Sequence, residues 1–338
     1  MKVLVTGGGG YIGSLLCASL VEKGYDVVCF DRFFFGKDKI KDIEDRVTIV
    51  KDDVRFFDPK ILDGVDAVFD LAALSNDVSG ELDANKTLEI NYKGRVRVAT
   101  LAKAHGVKKY VLASSCSVYG FQDGLVDEKS KTNPLTTYAK ANLLAEKETL
   151  ELSSKDFSVT ALRQATVYGY SPRMRFDLAI NVMALSLFRD GKIMVTGKGE
   201  QWRPFVHVKD TGNAFIKVIE ADQELVNGEV FNVGSNNQNY NIFDLAKLVC
   251  EANGKEFSYE SFGDPDFRSY KAKFDKISNV IGYKTSKTPR DGAQEVYNAL
   301  KENILDPKDP KTVTVNWYKR LIEMQNNLRE VELNGVLL

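Results

Sequence analysis

Residues 3–13 read VLVTGGGGYIG: a short β-branched run, four glycines, then the opening of an amphipathic segment that continues to Gly24. Glycine at 7, 10 and 13, after a strand and at a helix start, permits a tight turn. It also lets an anion approach the free N–H groups of the helix terminus. A glycine cluster alone marks only a turn. Here an acidic residue, Asp31, also closes the next β-branched run, DVVCFD, and the three features together form a dinucleotide-binding fingerprint. Tyr11 and Ile12 of the same loop are placed at the cofactor with the glycines.

Asp31 is positioned to accept hydrogen bonds from the adenosine ribose and to repel a 2′-phosphate, which favours NAD over NADP. Arg32 beside it leaves phosphate recognition open, although a solvated or adenine-stacking side chain is the preferred reading. The KDDV run at 51–54 offers Asp53 for the adenine amino group, with Val54 next to it; a solvated strand-end carboxylate is the competing reading.

Working outward, β-branched runs alternate with amphipathic stretches: VTIVKDD, AVFDLAA, a helical pattern through 87–106, KYVLASS, a second helical pattern from Tyr138, and SVTALR. Such alternation predicts a doubly wound parallel sheet of the Rossmann type, helices on both faces. Past Gly169 the alternation weakens. The expected organisation is a dinucleotide-binding domain at 1–170 plus about 205–234, a smaller α/β substrate lobe at 171–204 plus 235–310, and a peripheral helical tail at 311–338.

The totals narrow the function classes. With 338 residues, 46 basic against 47 acidic side chains and no long run of either sign, nothing suggests a nucleic-acid or membrane partner. Four scattered cysteines without a C-x-x-C pair and only two histidines, His105 and His207, predict a reducing cytoplasm and no structural metal. No segment approaches the length of a membrane-spanning helix.

TGGGGYIG, DLAA, SSCSVYG and YAKAN, in this order, resemble the extended short-chain dehydrogenase/reductases, the nucleotide-sugar epimerase and dehydratase group. LRQATVYG, QWRPFVHVKD, EVFNVG and FRSYKAKFDKISNVIGY extend the resemblance over roughly residues 1 to 300. It implies an NAD-binding lobe, a second lobe over a nucleoside-diphosphate sugar, and a homodimer paired through two helices, here around 81–105 and 138–153. It implies that Ser115 holds the reacting sugar oxygen and Tyr138 transfers its proton. By the same resemblance, Leu71, Ala72, Ala73 and Asn91 flank the cofactor. Ser75, Cys116, Ser117, Thr166, Arg203, His207 and Arg268 fall on the substrate side, the arginines suited to a diphosphate.

Three departures shape the expected chemistry. Cys116 and Ser117 stand where the related 4,6-dehydratases carry Asp and Glu, which disfavours dehydration. LRQAT replaces the LRYFN of galactose epimerases. Asn142 stands one helical turn beyond Tyr138, where the resemblance implies the lysine of Tyr-x-x-x-Lys; Lys140 projects to another face. An unassisted tyrosine near pKa 10 is about one part in a thousand phenolate at pH 7. Ketone reduction, which needs the neutral phenol, should therefore suffer less than alcohol oxidation. The expectation is an NAD-dependent epimerase or oxidoreductase at C4 of the sugar, with Asn142 in the lysine's place. A catalytically silent NAD- and nucleotide-sugar-binding protein is the alternative. Asn142→Lys is expected to speed oxidation.

Overall fold

A computed structural model of the chain describes residues 1–263, 268–333, 335 and 336. Phe267, the first residue of the FRSYKAK motif, lies outside them. Seven strands form one parallel sheet: β1 (Lys2–Thr6), β2 (Asp26–Asp31), β3 (Val47–Lys51), β4 (Ala67–Asp70), β5 (Lys109–Ser115), β6 (Ser158–Gln164) and β7 (Glu229–Val233). Their order across the sheet is β7-β6-β5-β4-β1-β2-β3. The expected Rossmann-type sheet is therefore present, with its order reversing between β1 and β4. Ligands bind at the carboxyl ends of strands beside such a reversal.

Burial on both faces explains the near-continuous apolar strands. In β1, Val3 and Val5 join the layer formed with Leu16 and Leu20 of α1 (Gly13–Glu22) and Phe215. Leu4, between them, joins the opposite layer with Val98 and Ala102 of α2 (Arg95–Ala104) and Ala145 of α3 (Thr137–Leu150). The period-two alternation of a strand thus becomes two hydrophobic layers.

The smaller lobe has a three-stranded sheet of Thr166–Tyr168, Trp202–His207 and Asn239–Asn241. Its own core gathers Ile180, Leu187, Phe205, Leu245 and Ala293. The return to the large sheet begins later than the sequence pattern suggested. Phe205 to His207 pair within the small sheet, and only the helix Val208–Glu220 packs into the layer beside α1. Among the described residues no helix is long and apolar enough to cross a membrane.

Two local features position the site. Thr136 caps α3, its side chain accepting the Ala139 N–H at 3.1 Å, so Tyr138 sits in the first turn. Ahead of α2 the chain forms a π turn, Glu89–Gly94. It leads directly into Arg95, at 1 % exposure among the largest fully buried side chains.

The C-terminal helix, Thr314–Val331, is peripheral only over its far turns, where Met324, Leu328 and Val331 are exposed. Its first turns are docked. Trp317 Nε1 donates to the Phe34 carbonyl at 2.7 Å, and the Tyr318 ring lies 5.8 Å from Phe34 and 5.5 Å from Phe35. The FFF run after Arg32 supplied the partner that the tail's own sequence does not reveal.

Candidate active site

A cleft of about 340 Å³ runs along the carboxyl ends of the strands, lined at one end by Gly7, Gly10, Tyr11, Ile12 and Gly13. Gly7 has φ +69°, and a Cβ on Gly13 would lie 2.1 Å from the Gly7 carbonyl oxygen, so the turn closes only without side chains. Asp31 also lines this end. Its carboxylate accepts the Phe33 N–H at 2.5 Å and the Gly9 N–H at 3.1 Å, which pins the glycine loop to β2. Burial lifts its pKa despite these bonds.

Arg32 is held away from phosphate recognition. Its guanidinium pairs with Asp53 at 2.5 Å and lies over the Phe34 ring at 4.8 Å. Asp53 also accepts from Arg55 at 2.8 and 3.0 Å. Burial pushes the Asp53 carboxyl up, but these bonds more than offset it and hold it at about 2. Asp53 and Val54 line the cleft. The glycine cradle and the acidic strand end, with the guanidinium of Arg32 engaged by Asp53, fit NAD.

Leu71, Ala72, Ala73, Ser75, Ser115, Ser117, Tyr138 and Thr166 line the middle of the cleft, with Arg203 and Arg268 on its smaller-lobe side. Ser115, at the end of β5, accepts the Ser117 N–H at 3.1 Å on its Oγ, and it lines the cleft together with Tyr138. Burial raises the phenol's pKa and Asp77 adds to this; Arg95, Arg175 and the Ser115 hydroxyl pull it down without overcoming the rise. Arg268 pairs with Asp77, and Arg203 stacks over Tyr270 at 5.6 Å while donating to the Arg268 carbonyl.

Four side chains expected in the cleft do not line it. Cys116 is buried beneath it, 3.2 Å from the Arg163 carbonyl, and burial pushes its thiol far up, which removes it as an acid. His207 is fully buried. Its Nδ1 accepts the Lys209 N–H at 3.2 Å, capping the following helix, and its Nε2 meets Glu295 at 2.8 Å. Asn91 clamps the backbone of Leu74 through both amide atoms, at 2.8 and 3.0 Å, and so shapes the cleft wall from behind. Asn142 points inward: its Oδ1 accepts from Arg95 at 2.9 Å and its Nδ2 donates to the Tyr138 carbonyl at 2.9 Å. Lys140, as expected from its helix face, is exposed.

Sequence reasoning passed over several cleft residues. Arg173 and Arg175, from SPRMRF, are buried and line it together with Gln164 and Tyr318. Arg175 pairs with Asp177 at 2.9 Å and donates to Ser75 Oγ at 3.2 Å. Arg173 donates to Thr314 Oγ1 at 3.0 Å, lies over the Phe35 ring at 3.6 Å and has no ion-pair partner among the described residues. Burial and the neighbouring Arg175 push its pKa down to about 10, the signature of a cation whose environment favours an arriving anion. Gln164 Oε1 and Ser117 Oγ are buried without hydrogen-bond partners among the described residues. The available signal was two arginines, two residues apart, following a strand-end tyrosine–glycine pair.

Comparison with known proteins places the chain in a family. A UDP-glucose 4-epimerase of Lactobacillus helveticus is 29 % identical over 310 residues, covering 84 % of this chain and 92 % of that protein. The uncharacterized UDP-glucose epimerase YtcB of Bacillus subtilis (strain 168) is 28 % identical over 308 residues, covering 86 % and 95 %. The crystal structure of UDP-glucuronic acid 4-epimerase from Bacillus cereus, in complex with UDP-glucuronic acid and NAD, superposes with a TM-score of 0.80 at 26 % identity, covering 90 % of this chain and all of that one. Residues 3–234 match the family model for the NAD dependent epimerase/dehydratase family, which spans the glycine loop, Ser115, Tyr138 and both Arg173 and Arg175. The chain belongs to the NAD-dependent epimerase/dehydratase family.

Proposed function

We propose that this chain is an NAD-dependent epimerase or oxidoreductase acting at C4 of a nucleoside-diphosphate sugar. The carrying observation is the placement of Ser115 and Tyr138 in one cleft, between the glycine cradle and a wall bearing Arg175, Arg203 and Arg268. The Bacillus cereus structure, holding UDP-glucuronic acid and NAD, makes a UDP-sugar the first substrate to try.

NAD, held by Gly7, Gly10, Gly13 and Asp31, supplies hydride acceptance and return. Arg173, buried at the cleft wall, would meet a phosphate of the cofactor, and the smaller-lobe arginines would meet the sugar's diphosphate. Ser115 Oγ already accepts from the Ser117 N–H, which leaves its own hydrogen for the sugar oxygen or the phenol. Tyr138 takes the C4 hydroxyl proton during oxidation and gives it back during reduction. With its pKa raised, the resting phenol is an acid, so reduction of a 4-keto sugar is the easier direction. Gln164 and Ser117 offer unpartnered polar atoms to the sugar.

Turnover separates this reading from a silent binding protein. Incubation of the protein and NAD with UDP-, dTDP-, GDP- and CDP-sugars and their 4-keto forms should give a C4-altered product with at least one; tight binding without product favours the silent alternative. We also propose a cytoplasmic homodimer joined through α2 and α3. Leu144 on α3 is 38 % exposed, and sedimentation at micromolar concentration should give twice the chain mass.

A further inference from the structure

One turn beyond Tyr138, α3 presents a neutral amide, yet the space behind that amide is not neutral. Arg95 Nη1 donates to Asn142 Oδ1 at 2.9 Å, and Asn142 Nδ2 donates to the Tyr138 carbonyl at 2.9 Å. Arg95 Nη2 reaches the carbonyls of Asp70 at 2.9 Å and of Ala113 at 2.5 Å, and Ala113 itself lines the cleft. The guanidinium is therefore seated under the cleft floor, against the residue that shares a helix face with the tyrosine.

Two arginines bonded to α3 differ in how their charge is met. Arg163 makes a two-point pair with Glu146 of α3, Nε to Oε2 at 3.0 Å and Nη2 to Oε1 at 2.5 Å, so a carboxylate on the same helix neutralises it. Arg95 has no such fork. Its Nε lacks a hydrogen-bond partner among the described residues and lies 3.8 Å from Asp70 Oδ1. The Asp70 carboxylate is already engaged by Thr6 Oγ1 at 2.6 Å and by the Tyr110 hydroxyl at 2.5 Å. A buried guanidinium that is only loosely paired is expensive to keep, and its field reaches further than that of a bidentate pair.

We propose that Arg95 is the positioning residue that supplies positive charge to Tyr138, docked on Asn142 in place of a cation carried by α3 itself. The proposal rests on the reading of Tyr138 as the proton-transfer group. Asp77 from the short helix Asp77–Gly80, Ser115 from the end of β5, Arg175 from the segment after the Thr166–Tyr168 strand and Arg95 from α2 all act on the phenol. Burial and Asp77 disfavour phenolate, while Arg95, Arg175 and the Ser115 hydroxyl favour it. Removing Arg95 leaves Arg175 and Ser115 against that opposition. Asn142→Lys alone, by contrast, would press an ammonium against a buried guanidinium and should not speed oxidation.

The test is direct titration of Tyr138 in the NAD-loaded protein, by tyrosinate absorbance or ring-carbon NMR, using Tyr138→Phe to identify its signal. Arg95→Met should raise the midpoint by about one unit or more and slow sugar oxidation at pH 7 by about tenfold per unit. Ketone reduction and KM should change by less than about threefold, because the neutral phenol already serves reduction. Arg95→Lys should titrate close to the parent, and the pair Arg95→Met with Asn142→Lys should return the midpoint toward it. If Arg95→Met does not fold, Arg95→Gln replaces it, keeping an N–H for Asn142 without the charge. An unmoved midpoint in the neutral variant, with Tyr138→Phe still abolishing transfer, would overturn the role of Arg95. Unimpaired transfer in Tyr138→Phe would instead remove the reading of Tyr138 on which the proposal rests.

Discussion

At one end of the cleft, the lining comes from the glycine turn between β1 and α1 and from Asp31 at the end of β2. At the end that holds Ser115 and Tyr138, the arginines on the cleft wall are Arg175, Arg203 and Arg268, from the segment after Tyr168 and the smaller lobe, with Arg95 of α2 beneath it on Asn142. The first end is built from backbone geometry, and its requirements are local: a φ of +69° at Gly7 and no Cβ at Gly13. The second is built from long side chains whose positions depend on which distant elements pack together. Changes at the first end should therefore act on cofactor affinity and changes at the second on chemistry, with little crossover.

The largest expected effect is at Gly13. A Cβ there would meet the Gly7 carbonyl oxygen at 2.1 Å and the Gly8 Cα at 2.8 Å, both backbone atoms, so the whole turn must move. Gly13→Ala should weaken NAD binding in calorimetry at least about 100-fold, roughly 2.7 kcal/mol. Nucleotide-sugar affinity should change by less than about threefold; an equal loss of both would show that the two ends are one unit.

Arg173 is the sharper probe, since it belongs to the segment after the small sheet's first strand yet faces the cofactor end. Arg173→Met should weaken NAD binding about tenfold and flatten its salt dependence, because one anion contact is lost. Preserved NAD affinity with weakened nucleotide-sugar binding would move Arg173 to the other end of the cleft.

The smallest effect concerns Asp53. Its folded pKa of about 2 lies below the unfolded value near 3.9, so its contribution to stability is present above about pH 4 and is lost as pH falls through 2. Asp53→Asn should cost about 1–2 kcal/mol in urea unfolding at pH 7 and little at pH 2. NAD affinity should fall by less than about tenfold if the carboxylate serves mainly to hold Arg32 and Arg55.

The comparison also explains what the sequence disclosed. A parallel sheet follows from buried β-branched runs, and the glycine loop from conformations that only glycine adopts easily, so both are written in consecutive residues. Tyr138 and Ser115 were legible through a resemblance that places them on a known scaffold, and the structure sets both on the cleft wall. Arg95 was not legible, because a buried arginine in KGRVRV reads like any helix-surface cation. Its inward place depends on partners remote in sequence, Asn142 on α3 and the carbonyls of Asp70 and Ala113. His207 and Cys116, aligned with the substrate side by resemblance but read from their residue types as packing and buried filler, do not line the cleft: the fold uses one as a helix cap and the other as buried filler. Tyr318 was missed because its partners, Phe34 and Phe35, lie at the other end of the chain.

The decisive measurement is rapid mixing of the NAD-loaded protein with a UDP-sugar carrying deuterium at C4, following nicotinamide reduction by absorbance. The account predicts a reduction phase slowed by deuterium at C4 but not at C3, and diminished by about 10²- to 10⁴-fold in Tyr138→Phe. Reduction indifferent to the C4 isotope, or as fast in Tyr138→Phe as in the parent, would contradict it.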